Sequence, residues 1–209
     1  MEFLLLRYYS KKVKVENNML ELENKILNEG MIINNEILKV DSFVNHQVDV
    51  KLLDSICEYL VSKFPRVDKI VTIETSGIAY AVGVAQKMGN IPVVFAKKTK
   101  SAINDASNVY KTEIKSFTRK ICSTVTIDKR YIEEGKTYLI IDDFLAEGNA
   151  ALGLIDLIHQ AKGKVVGVGI VIEKRFQGAR AKLNEIGVTV HSAAVIDAFV
   201  DNKPVFGED

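Results

Sequence analysis

Two adjacent carboxylates, Asp142 and Asp143, close an apolar run at residues 137–141 (TYLII). The segment after them, Phe144-Leu145-Ala146-Glu147-Gly148-Asn149-Ala150, carries one glycine and opens an amphipathic helical pattern over residues 150–161. The apolar run reads as a buried strand, and ligands of open α/β sheets bind beyond the carboxyl ends of such strands. The helix start behind it offers unpaired N–H groups and partial positive charge, which suit a phosphate. The carboxylates would repel that phosphate. They suit neighbouring hydroxyls, because a carboxylate accepts hydrogen bonds from both members of a vicinal diol. A diol beside a phosphate describes a ribose 5-phosphate. The alternative is that Asp142 and Asp143 only cap the following helix.

A second segment of this kind lies earlier. Residues 69–73 (KIVTI) form a strand-like run, followed by Glu74-Thr75-Ser76-Gly77, a helix of small residues to Met88, a stop at Gly89 and a strand at residues 92–96 (PVVFA). This order is the βαβ signature of a parallel sheet. The elements around it are legible by period and punctuation. Residues 20–29 predict a short helix ended by Gly30, and residues 36–40 a short strand. Asp49 is placed to cap a longer helix whose Leu52, Leu53, Ile56, Leu60 and Phe64 repeat at helical spacing before Pro65. Residues 97–111 are polar and too long for a routine connection. Their flanks, residues 112–117 and 121–127, predict an antiparallel flap. The acid pair is read as the start of a loop over residues 142–149. An apolar strand at residues 164–172, a helix near 179–186 and a strand at 188–191 finish the fold.

Composition narrows the classes. Twenty-eight basic and 27 acidic residues leave a net charge of +1, so no polyanionic partner such as nucleic acid is expected. The two cysteines, Cys57 and Cys122, form no metal-spaced cluster with the histidines, and both are read as packing thiols. No apolar run reaches the about 18 residues that span a bilayer, so no membrane association is expected. Residues 1–18 are read as an extension outside the fold, with an extra helix or strand at the domain edge as the alternative. Residues 19–209 are read as one domain.

The segments Asp41-Ser42-Phe43-Val44-Asn45-His46-Gln47, Ile73-Glu74-Thr75-Ser76-Gly77-Ile78-Ala79, Ile140-Ile141-Asp142-Asp143-Phe144-Leu145-Ala146 and Ile172-Glu173-Lys174-Arg175-Phe176-Gln177 resemble, in the same order, the motifs of type I phosphoribosyltransferases and within them the bacterial xanthine branch. The resemblance spans about Met19 to Ala194. It departs from the family at the phosphate loop. Where the family has Thr-Gly-Gly-Thr, this chain has Glu147-Gly148-Asn149-Ala150, which loses two hydroxyls and adds a charge of the wrong sign.

The resemblance implies an α/β fold of the type I phosphoribosyltransferase kind, a mostly parallel sheet flanked by helices with an antiparallel flap and a small base-binding hood. It implies transfer of a 5-phosphoribosyl group from 5-phosphoribosyl 1-diphosphate (PRPP) to N9 of xanthine. Asp142 and Asp143 would be the catalytic acids. The donor would be bound by Ala146, Glu147, Gly148, Asn149 and Ala150, by Glu74, Thr75, Ser76 and Gly77, and by Lys97 and Lys98, with Lys100 nearby. Xanthine would meet Leu38, Asn45, Lys174 and Phe176. Mg2+ would be held mainly by PRPP, in a cytoplasmic homodimer. In hypoxanthine–guanine enzymes of this fold an acid at the position of Ala146 can take the base proton. Alanine cannot, so the base is expected to enter partly deprotonated. Two alternatives stay open: another base (guanine, hypoxanthine, adenine or orotate), and a PRPP-sensing regulator without turnover.

Overall fold

The computed structural model of the protein describes residues 21–99, 108–115 and 122–209. Residues 21–29 are helical (α1) and lead into a hairpin of β1 (Met31–Ile33) and β2 (Ile37–Lys39). After a π-helical turn at Asp41–Asn45 come α2 (Val50–Lys63), β3 (Lys69–Ile73), α3 (Gly77–Lys87) and β4 (Val93–Thr99). The hairpin of β5 (Val109–Lys115) and β6 (Cys122–Asp128) precedes β7 (Thr137–Leu145), α4 (Asn149–Gln160) and β8 (Lys164–Lys174). A 3-10 turn at Arg175–Gln177, α5 (Ala179–Glu185), β9 (Val190–Val200) and β10 (Lys203–Gly207) follow.

One sheet of eight strands, in the order β10-β9-β8-β7-β3-β4-β6-β5, organises the molecule. The five strands from β9 to β4 run parallel to one another, while β10, β6 and β5 join antiparallel at the two sides. The alternation of a strand splits β7 between two cores. Leu139 and Ile141 pack with Ile56, Leu60 and Val84 of α2 and α3. Tyr138 and Ile140 pack with Leu154, Ile158 and Leu183 of α4 and α5. Burying one such aliphatic side chain is worth about 1.5–3 kcal/mol, which is why the two helical layers stay pressed to the sheet.

Several sequence expectations hold. Asp49 caps α2, its Oδ1 accepting from the N–H groups of Lys51 and Leu52 at 3.1 Å each. The β5–β6 pair is antiparallel as expected for a flap, but it continues the main sheet through β4–β6 pairing. Residues 100–107 and 116–121 of that region, Lys100 included, and the extension at 1–18 lie outside the described residues.

Four expectations change. The acid pair does not begin a loop: β7 runs on to Leu145, because Asp142, Phe144 and Leu145 still pair with β8. Lys97 and Lys98 belong to β4, paired with Thr126 and Val125, and not to a polar connection. The closing strand is not 188–191 but the eleven-residue β9, followed by the β10 hairpin. Cys57 is buried as expected, its thiol pushed up to about 12 by burial, whereas Cys122 is exposed at the start of β6 and packs no core.

Candidate active site

The carboxyl ends of β3 and β7 lie side by side at the middle of the sheet. Pairing between them ends at Val71 opposite Ile140. Past that point β3 turns into α3 while β7 continues against β8 alone. The side of β7 that faces α3 is thereby left without a strand partner, and the acids stand there.

Gly77, the first residue of α3, approaches this edge more closely than any side chain would allow. A Cβ on it would lie 2.5 Å from Thr72 Oγ1 and 2.7 Å from Asp142 Oδ1. The Glu74–Thr75 peptide before it is cis. Through Gly77 the Glu74-Thr75-Ser76-Gly77 turn meets Asp142, so the two motifs singled out in the sequence adjoin at one strand end. Glu74 itself is held on the other side: its N–H donates to Ala96 O at 3.0 Å, and its carboxylate accepts from the backbone N–H of Lys98.

This junction is polar and under-satisfied. Asp142 is buried, and its Oδ1 accepts from the Asp143 N–H at 3.0 Å. Burial, and next the neighbouring Asp143 charge, raise the Asp142 carboxyl well above the usual carboxylate range; the Lys98 charge pulls it down by a smaller amount. Thr72 Oγ1 beside it is buried without a hydrogen-bond partner. A desolvated carboxylate, a second acid and an orphaned hydroxyl at a strand end mark a place where an incoming polar group supplies what the protein lacks.

The loop Ala146-Glu147-Gly148-Asn149-Ala150 runs from β7 into α4. Gly148 precedes α4 in the left-handed region at φ 85° and, as a glycine, makes no side-chain cap to it. A helix start carries partial positive charge, which suits an anion. The carboxylate of Glu147, the wrong-sign charge in this loop, is engaged by Asn149 Nδ2 at 3.1 Å.

The residues assigned to the base lie on a second wall, and the structure brings only some of them together. Lys174 ends β8; its ammonium donates to Glu36 O in the β1–β2 turn at 2.9 Å and lies 5.7 Å from the Phe199 ring centre. Burial lowers the Lys174 pKa, with Glu36 opposing. Phe176 is 43% exposed and meets Phe199 edge to face at 5.3 Å. Leu38 is buried in the core between hairpin and helices. Asn45 is exposed at the end of the π turn.

Phe199 and the Glu36 carbonyl are members of this wall that sequence reading missed. A signal existed. Asn34-Asn35 and Asp201-Asn202 all take positive φ, as hairpin turns of the primed type demand. These two turns clasp each other: Asn202 N donates to Asn35 Oδ1 at 2.7 Å and Asn35 N to Asn202 Oδ1 at 3.0 Å. The clasp seats the β1–β2 hairpin over the end of β8.

Comparison with known proteins gives the family and the fold. The phosphoribosyl transferase domain family matches residues 40–201. A xanthine phosphoribosyltransferase of Clostridioides difficile is 51% identical over 189 residues, 90% of this chain and 98% of that protein. One of Laribacter hongkongensis is 48% identical over 188 residues, 89% of this chain and 98% of that protein. Among solved structures, adenine phosphoribosyltransferase of Rhodothermus marinus superposes with a TM-score of 0.70 at 21% identity, covering 87% of this chain and 99% of that one, a likeness of fold. These matches establish that the chain belongs to the phosphoribosyl transferase domain family.

Proposed function

We propose that the protein transfers the 5-phosphoribosyl group of PRPP to N9 of xanthine, releasing diphosphate and forming xanthosine 5′-monophosphate. The single observation that carries the sugar half is the juxtaposition of Gly77 with Asp142 at the ends of β3 and β7. The xanthine half is supported by the two relatives named above, at 48–51% identity over nearly their whole length.

In this reading the backbone amides at the start of α4 bind the 5′-phosphate, and Asp142 and Asp143 accept hydrogen bonds from the ribose hydroxyls. As the bond from C1′ to the diphosphate oxygen breaks, positive charge grows on the ribose ring, and fixed carboxylates nearby favour it. The Glu74-Thr75-Ser76-Gly77 turn and the cations of Lys97 and Lys98 receive the departing diphosphate. On the base side Lys174 moves its ammonium from the Glu36 carbonyl to a purine oxygen, Asn45 supplies a donor and an acceptor, and Phe176 covers the ring.

Among the described residues no cluster of three or more His, Cys, Asp or Glu could hold a metal. The oxygens of Asp142, Asp143 and Thr72 are hard donors that fit Mg2+ arriving with PRPP. When bound, Mg2+ would neutralise charge on the diphosphate. Ala146 offers no proton acceptor, so in this reading xanthine enters already partly deprotonated, having lost that proton to solvent, and no strong general base is required.

The test is diphosphate release with PRPP, Mg2+ and each of xanthine, guanine, hypoxanthine, adenine and orotate. Xanthine is expected to be consumed fastest, with a rate that rises across the ionisation of free xanthine. Preference for another base would overturn the substrate, and no turnover with any base would favour a PRPP sensor.

A further inference from the structure

Next to the loop at residues 146–150 a second set of charges is buried. Glu173, the residue before Lys174, is fully buried on β8 and lies opposite Leu145, the last residue of β7 before the loop. Arg180 of α5 reaches it with Nε at 2.9 and 3.1 Å from the two carboxylate oxygens and with a second, shorter contact from its terminal nitrogen. The same guanidinium donates to Asp209 Oδ1 at 2.8 Å, to Val190 O at 3.1 Å and to Ser192 Oγ at 3.2 Å. Asp209, its side chain 3% exposed, accepts further hydrogen bonds from Tyr59 at 2.8 Å and from Ser192 N at 2.9 Å, and contacts His191 Nδ1 at 2.7 Å. The cluster thus joins β8, α5, β9 and α2.

The helix that Arg180 pins is the outer wall of the phosphate loop. Ala179, 1% exposed, lies so close to Gly148 that a Cβ there would be 3.0 Å from the alanine's own. One turn on, Lys182 Nζ donates to Glu147 O at 3.2 Å. The loop has lost the family's hydroxyl contacts and depends on backbone N–H groups. Their aim is set by how firmly the peptides are held from behind.

We infer that Arg180 and Lys182 are positioning residues for phosphoribosyl binding: Arg180, fixed by Glu173 and Asp209, holds α5 against the loop, and Lys182 orients the Glu147 peptide. The inference rests on the reading of residues 146–150 as the 5′-phosphate site.

The experiment measures ribose 5-phosphate affinity by calorimetry, with KM for PRPP and xanthine, kcat and thermal midpoint, in Arg180→Lys, Lys182→Gln and Gly148→Ala. Lysine cannot reproduce the guanidinium fork, so Arg180→Lys is expected to weaken ribose 5-phosphate and PRPP roughly tenfold. Lys182→Gln, at an exposed site that leaves the core intact, is expected to weaken both about threefold. In both variants the xanthine KM stays within about twofold of the parent, since only the phosphate side is disturbed. The Lys182→Gln effect should persist at 0.5 M salt, where about 4 Å of screening removes long-range charge attraction. A lower thermal midpoint with unchanged ribose 5-phosphate affinity in both variants would overturn the inference. Should Arg180→Lys not fold, Lys182→Gln decides alone. Gly148→Ala separates the two levels: if it too leaves ribose 5-phosphate binding untouched, the loop is not the phosphate site.

Discussion

Two pairs of acids among the described residues are treated in opposite ways. Asp142 and Asp143 sit at the open edge of β7 with no cation hydrogen-bonded to them among the described contacts, and burial drives the Asp142 carboxyl upward. Glu173 and Asp209, beside the loop at residues 146–150, share the Arg180 guanidinium. Burial alone would raise Asp209 too, but hydrogen bonds from Arg180, His191, Ser192 and Tyr59 hold it at about 2. The satisfied pair ties elements together; the unsatisfied pair keeps its electrostatic capacity for a ligand. The same residue type thus serves as scaffold or as site according to what surrounds it.

The largest expected effect breaks the satisfied pair. Arg180→Met takes the guanidinium from two buried carboxylates, leaving Asp209 the Lys63 ammonium at 3.7 Å, and should cost about 3–5 kcal/mol of stability, read from urea denaturation. Asp142→Asn should do the reverse. It removes a desolvated charge and so should not lower the thermal midpoint at pH 8, yet it should reduce kcat on the order of 10²–10³-fold. An Asp142→Asn protein that is both active and destabilised would erase the contrast. On the base wall, Lys174→Met should raise the xanthine KM by about tenfold, the worth of a hydrogen bond from a charged donor, with little change in PRPP KM.

The smallest effect is in pH dependence, and its sign differs between the pairs. Asp209 is lowered in the fold, so its stabilisation is present above the unfolded value of about 3.9 and is lost as pH falls toward 2. The thermal midpoint of the parent minus that of Asp209→Asn should shrink between pH 4 and 2. Asp142 is raised, so the stability of its neutral form is complete below about 3.9 and is lost as pH climbs through the folded value. The advantage of Asp142→Asn over the parent should therefore grow toward alkaline pH and vanish near pH 4.

What the sequence disclosed follows local period and punctuation. The β3–α3–β4 unit, the Asp49 cap and the helix after Gly148 were legible because each is written in consecutive residues. The acid pair was recognisable as chemistry but misplaced as loop. Aspartate is rare in strands, and only pairing with β8 shows why β7 continues through it. The β9–β10 hairpin was missed although Asp201-Asn202 could have signalled a primed turn. The Glu173–Arg180–Asp209 cluster was not legible at all, since nothing local joins residues that meet only after α5 folds back on the sheet.

A crystal structure with xanthosine 5′-monophosphate bound tests the central claim most directly. The 5′-phosphate should lie on the N–H groups of residues 146–150, the ribose diol on Asp142 and Asp143, and the purine oxygens toward Lys174 and Asn45. A nucleotide whose phosphate lies away from the start of α4, or whose diol does not touch the acid pair, would contradict the account.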